Sequence, residues 1–160
     1  MKQILSFIIF GFVLLCHNSF AADDQAPEIN LPGINEEIRL ENLKGKVVYL
    51  DFWASWCKPC AKSFPWMNEM KQSYADKGFE ILAVNLDKDR KLADEFLNKM
   101  DVNFKVAYDE NGKSAADYKL KGMPSSYLIG RDGKVYASHI GFREKDKAQL
   151  EQAIKKLINK

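Results

Sequence analysis

At 160 residues, with a formal net charge of +2 from 24 basic and 22 acidic side chains spread along it, the chain has room for one domain and little more. No basic stripe marks it for nucleic acid, and no block of like charge marks an interaction tail. Hydrophobic residues at 46% and aromatics at 12% suffice for a packed core where the apolar positions are periodic.

The N-terminus reads as an export signal. Lys2 supplies a short positive region, Ile4 to Cys16 is nearly unbroken apolar sequence, and Ser19-Phe20-Ala21 fits the small-x-small cleavage rule. Cleavage after Ala21 leaves residues 22–27 as a flexible leader and 28–160 as the domain, in the periplasm or an equivalent extracytoplasmic space. An uncleaved membrane anchor and a lipid on Cys16 are the alternatives. The apolar run is short for a span, and Leu15 is bulky for a lipid-attachment site. Cleavage removes Lys2, taking the net charge from +2 to +1, and reduces three cysteines to two, in a compartment where disulfides persist.

Glu28 to Leu31 and Glu37 to Leu40 alternate polar and apolar around Pro32-Gly33-Ile34-Asn35, which predicts a β-hairpin. Val47 to Trp53 is a central strand. From Cys60 to Tyr74 the positions Ala61, Phe64, Met67, Met70 and Tyr74 recur at helical spacing, with Pro65 inside as a bend. Phe79 to Leu86 is a second central strand. Arg90 to Met100 is a helix with Leu92, Ala93, Phe96, Leu97 and Met100 on one face, followed by a strand at 104–108 and a short helix at 114–120. Ser126 to Ile129 and Val135 to Ile140 form a hairpin about Arg131-Asp132-Gly133-Lys134. Lys145 to Ile158 closes the chain as an amphipathic helix with Leu150, Ala153, Ile154 and Leu157 inward. This alternation predicts an α/β fold around a mixed sheet.

Trp56-Cys57-Lys58-Pro59-Cys60 stands where the first central strand passes into a helix. At that helix N-terminus, unpaired N–H groups and the macrodipole favour an anion, so Cys57 is the candidate thiolate nucleophile. Cys60, one turn on, can attack a mixed disulfide formed on Cys57. A bridge closing so short a loop gains only about 2 kcal/mol in the chain-entropy model, little for a purely structural role. A zinc site would need further ligands, and only His139 and scattered acids remain. The pair therefore reads as a redox-active disulfide, with no metal and no other cofactor.

These residues resemble the thioredoxin superfamily, and more narrowly its exported TlpA/ResA-like thiol–disulfide oxidoreductases, from about Pro27 to the C-terminus. The resemblance is carried by Lys44-Gly45-Lys46-Val47-Val48, by Asp51 through Cys60, by Phe79 through Asn85, and by Gly122-Met123-Pro124-Ser125. It implies a thioredoxin-like fold with a central mixed sheet flanked by helices, an N-terminal β-hairpin and a central αβ insertion. It also implies a cis bond before Pro124, with the Met123 backbone pairing to an extended substrate segment. Asp51 would lie buried behind Cys60 and accept its proton, and Glu80 in the neighbouring strand would lie near the same thiol. Carrying both acids departs from many members, and two carboxylates in one apolar pocket would couple, raising at least one pKa. Trp56 and Pro59 are expected on the substrate-facing surface, with Lys58 adding positive charge beside Cys57. Trp53 is expected in the core, and His139 as an ordinary histidine of an edge strand.

The resemblance further implies a monomer that reduces disulfide-containing proteins, apocytochrome c among them, and is recharged by a membrane thiol–disulfide electron donor. A disulfide-forming oxidant would use the same motif. Against it, Lys58-Pro59 lacks the histidine common in strong oxidants, and the stretch from Cys60 to Pro124 is too short for a whole inserted helical domain. A thiol peroxidase would need Thr or Ser where Ala54 stands. A non-catalytic copper-binding module would pair the two thiolates with His139.

Overall fold

A computed structural model describes residues 25–160. The expected signal sequence, its expected cleavage site and leader residues 22–24 lie outside the described residues. Five strands form the main sheet in the order β5-β4-β3-β6-β7: β3 is Val47–Trp53, β4 Phe79–Asn85, β5 Lys105–Tyr108, β6 Ser125–Ile129 and β7 Val135–Ile140. Strands β3, β4 and β5 run parallel, whereas β6 and β7 are antiparallel to their neighbours. The hairpin of β1 (Asn30–Pro32) and β2 (Glu37–Arg39) forms a separate small sheet. The helices are α1 (Lys58–Tyr74), α2 (Arg90–Leu97), α3 (Lys113–Asp117) and α4 (Lys147–Ile158). This is the thioredoxin-like α/β fold, with α2 and β5 as the added central unit.

Every residue of β3 and β4 is buried, as expected of strands covered on both faces. Alternation sorts their side chains. Val47, Tyr49 and Trp53 face a cluster with Phe64, Met67 and Met70 of α1 and Ile154 and Leu157 of α4. Val48, Leu50 and Phe52 face the other way, joining Leu82, Val84, Tyr118, Tyr127 and Ile38 of the small hairpin. β3 therefore carries residues toward α1 on one face only, and that parity decides which acid can reach the cysteines.

Three expectations change. Helix α2 stops at Leu97, because Lys99 and Met100 donate to Phe96 and Leu97 in tight three-residue turns, and Leu92 is 46% exposed, outside the inward stripe. Helix α4 starts at Lys147, after a 3-10 turn at Glu144–Asp146. Residues 25–27, expected at the end of a free leader, are tied to the body. The Ala26 N–H donates to the Gly133 carbonyl at 2.9 Å, the Gln25 amide donates to the Asp132 carbonyl at 3.1 Å, and the Tyr118 hydroxyl donates to the Pro27 carbonyl at 2.8 Å. Gly133 (φ +81°) admits this approach, since a Cβ there would stand 2.7 Å from the Gln25 amide nitrogen.

Candidate active site

Cys57 and Cys60 are joined by a disulfide with their Cα atoms 5.3 Å apart. The helix begins at Lys58, earlier than the apolar spacing suggests, because Cys57 itself caps it: its Sγ accepts from the Cys60 N–H at 3.3 Å. Pro59 sits in the first turn, where its missing N–H costs nothing. An anion on the Cys57 sulfur thus meets an inward-pointing backbone donor and the positive end of a helix seventeen residues long. Cys60 is fully buried while Cys57 keeps 4% of its surface, so a thiol or disulfide arriving from solvent meets Cys57 first. Trp56 stands out beside it, 68% exposed, with Lys58 and Pro59 also at the surface.

Pro124 is buried at the start of β6, and the Met123–Pro124 peptide bond is cis. Ser125 pairs in register with Phe52, so this loop lies at the end of the sheet where β3 leads into the cysteines. Half-buried Met123 packs against the cluster that contains both cysteines. The Pro124 carbonyl accepts from the Gly141 N–H at 2.7 Å, and the Ser125 hydroxyl closes onto the Gly122 carbonyl at 2.7 Å.

Asp51 shares the sheet face of Tyr49 and Trp53, the face that α1 and Cys60 cover. It is 1% exposed, and its Oδ2 has no hydrogen-bond partner. Burial holds its carboxyl well above the usual carboxylate range. A buried carboxyl without a cation is suited to exchange a proton.

Glu80 does not join it. By alternation it falls with Leu82 and Val84, on the opposite face, and its register partner is Val48, near the far end of β3 from the cysteines. Its carboxylate is engaged there: Lys71 Nζ lies 2.7 Å from Oε1, Lys46 Nζ lies 3.9 Å from Oε2, and Oε1 accepts from the Ile81 N–H. The expected pair of coupled carboxylates is therefore a single acid, Asp51, and Glu80 is a structural ion-pair residue. The reason is the register: Glu80 pairs with Val48 at the start of β3, where its carboxylate meets Lys71 near the far end of α1, eleven residues beyond Cys60, while Asp51 pairs with Ala83 nearer the cysteines.

Trp53 is fully buried, edge-on to Phe64 with ring centroids 5.1 Å apart. His139 lies on edge strand β7, with Nε2 3.4 Å from Asp146 Oδ2. Among the described residues, no group of three His, Cys, Asp or Glu side chains is placed to hold a metal ion.

Sequence reasoning missed Asp87. Its carboxylate accepts from the Ser55 N–H at 2.8 Å, the Ser55 hydroxyl at 2.9 Å and the Asn85 amide at 2.7 Å, which fixes the segment entering the cysteine motif. Two parallel strands that end in register at Trp53 and Asn85 bring positions 55 and 87 together, and that pairing was the only available signal.

The Redoxin family model matches residues 21–154. Over 98% of each chain, the sequence is 36% identical to the thiol-disulfide oxidoreductase ResA of Bacillus cereus. It is 34% identical to the ResA of Bacillus subtilis, over 82% of this chain and 74% of that one. Among solved structures, a putative thiol:disulfide interchange protein DsbE from Chlorobium tepidum aligns with a TM-score of 0.86 at 48% identity, covering 88% of this chain and 99% of the other.

Proposed function

The chain belongs to the Redoxin family, within the thioredoxin superfamily, as a thiol–disulfide oxidoreductase, and on that premise we propose that it works outside the cytosol as a reductase of protein disulfides. The observation that carries the reading is the arrangement of Cys57 capping α1, Cys60 buried behind it, and Asp51 buried and unpaired on the face that α1 covers. In the cycle, the Cys57 thiolate attacks one sulfur of a substrate disulfide and expels the other as a thiolate. Cys60 gives its proton to Asp51 and attacks the Cys57 sulfur, which releases the second substrate thiolate. The substrate gains two electrons and the enzyme is left with its Cys57–Cys60 disulfide. Reduction back to the dithiol takes two electrons from a dithiol donor, which we assign to a membrane thiol–disulfide transporter on the TlpA/ResA-like resemblance.

That resemblance also supports apocytochrome c cysteine pairs as one substrate class, read by a monomeric enzyme. Exposed Trp56, Lys58 and Pro59, with the Met123–Pro124 loop at the same end of the sheet, supply the surface on which an extended segment would lie. The test is the equilibrium potential of the Cys57–Cys60 couple against a thiol buffer. A value nearer thioredoxin's (about −270 mV) than DsbA's (about −120 mV) is expected; one above about −150 mV assigns the protein to disulfide formation instead.

A further inference from the structure

Asp51 lies in a row of five register partners that crosses the whole sheet: Val106 on β5, Ala83 on β4, Asp51 on β3, Ser126 on β6 and His139 on β7. On one side of Asp51 the row is apolar and carries no proton. On the other side both positions carry groups that do. Adjacent strands stand about 4.8 Å apart, so His139 lies roughly 10 Å from Asp51 with Ser126 midway.

A cavity of about 90 Å³ lies beside Ser126 and His139, with Tyr49, Ser138 and Gln149 also in its wall and apolar side chains of β6, β7 and α4 making up the rest. Ser138 and Gln149 are exposed, so the cavity reaches the surface between β7 and α4. Its volume admits water, and the Ser126 hydroxyl, the Tyr49 hydroxyl and the His139 imidazole offer that water hydrogen-bond partners. The row also accounts for two of the buried polar side-chain atoms left unpartnered among the described residues, Asp51 Oδ2 at the inner end and His139 Nε2 at the outer end. The imidazole nitrogen is near Asp146, but at 3.4 Å without hydrogen-bond alignment, and Asp146 is itself held by Arg143 at 2.9 Å.

We propose that Ser126, the cavity and His139 form the proton route between Asp51 and solvent, with His139 as the relay at its outer end. The inference rests on the reading of Asp51 as the proton acceptor of Cys60. When Cys60 is deprotonated, its proton passes to the Asp51 carboxylate, then through the Ser126 hydroxyl and cavity water to His139, and from there to bulk water. Re-reduction of the disulfide runs the path in reverse. The route lets the proton held by Asp51 equilibrate with solvent between the two half-reactions, so that resolution by Cys60 does not wait on re-reduction to clear the carboxyl. An imidazole can accept a proton on one ring nitrogen while it donates one from the other, which suits the outer position. The charged and titratable groups facing the route are Tyr49 and Asp51 from β3, Cys60 from α1, His139 from β7, and Asp146 with its partner Arg143 from the turn before α4.

The test is single-turnover kinetics on a disulfide peptide, separating attack by Cys57 from resolution by Cys60, in the parent, His139→Ala, Ser126→Ala and Asp51→Asn proteins between pH 5.5 and 8.5. His139→Ala is expected to leave attack unchanged, slow resolution about fivefold or more, alter its pH profile, and regain the parental rate in added imidazole. In the Asp51→Asn background, removing His139 is expected to change nothing further. Parental resolution kinetics and pH profile in His139→Ala overturn the proposal, as does a slowing that imidazole does not restore. Ser126→Ala removes a single hydroxyl and answers the same question if His139→Ala does not fold: slow resolution supports the route, and parental kinetics overturn it. Slow resolution in Asp51→Asn beside a parental His139→Ala removes the route alone. Parental resolution in Asp51→Asn removes the assignment of Asp51 and the route with it.

Discussion

Asp87 clamps Ser55 with both carboxylate oxygens, Oδ2 accepting from its backbone N–H at 2.8 Å and Oδ1 from its hydroxyl at 2.9 Å. Ser55 lies two residues before Cys57, whose own N–H donates back to the Ala54 carbonyl at 3.0 Å. The clamp therefore sets where the chain leaves β3 and where the first turn of α1 starts. Asp87→Ala is expected to lower unfolding free energy by about 1.5 to 3 kcal/mol, the range for hydrogen bonds to a charged group. Denaturant titration measures the loss, and amide exchange at Ser55 and Cys57 should speed up more than exchange at Leu82 in the neighbouring strand.

The raised pKa of Asp51 has a signed consequence for stability. The oxidised native protein keeps the Asp51 proton over a pH window in which the unfolded chain, with a carboxyl near 3.9, has lost it. Unfolding releases that proton, so stability falls as pH rises from the unfolded value toward the folded one. Oxidised Asp51→Asn should lack this loss: it is expected to be more stable than the parent at pH 7, with the gap closing as pH approaches 4. Equal stabilities at pH 7 would mean that the carboxyl ionises in the fold without cost.

Glu80→Gln should leave both exchange steps within about twofold of the parent, because the side chain faces away from the cysteines. The same change costs stability, about 1 to 3 kcal/mol, since it leaves Lys71 without its charge partner at a position only 19% exposed. Parallel stopped-flow and urea titrations check both halves. Slow resolution with intact stability would return Glu80 to the proton-transfer role.

Cys60→Ala should accumulate mixed disulfides with its substrates, and Cys57→Ala should not. Without the buried thiol no resolving group stands at high effective concentration beside the Cys57 adduct. Non-reducing electrophoresis of the exported fraction displays the adducts and mass spectrometry identifies them. Apocytochromes among them support that substrate class, and a broad mixture points to a general reductase.

The exported protein is expected to begin at Ala22, which intact-mass measurement checks. A lipid adduct on Cys16, or retention of residues 1–21, would replace the soluble form with an anchored one.

What the sequence determined by itself was local or carried by contiguous motifs. The Trp56–Cys60 motif after an apolar run placed the nucleophile at a helix start, because strand-to-helix passage and helix-end electrostatics are properties of neighbouring residues. The strands at 47–53 and 79–85 were legible because burial on both faces demands unbroken apolar runs, and Asp51 stood out as a charge inside one. Register was not legible. Whether Glu80 meets Cys60 or Lys71, at opposite ends of one helix, depends on the register between two strands separated by that helix. The same lateral pairing set Asp87 against Ser55 and aligned Asp51, Ser126 and His139 across three strands far apart in the chain. Hydrogen bonding between strands decides such contacts, and only the tertiary structure contains it.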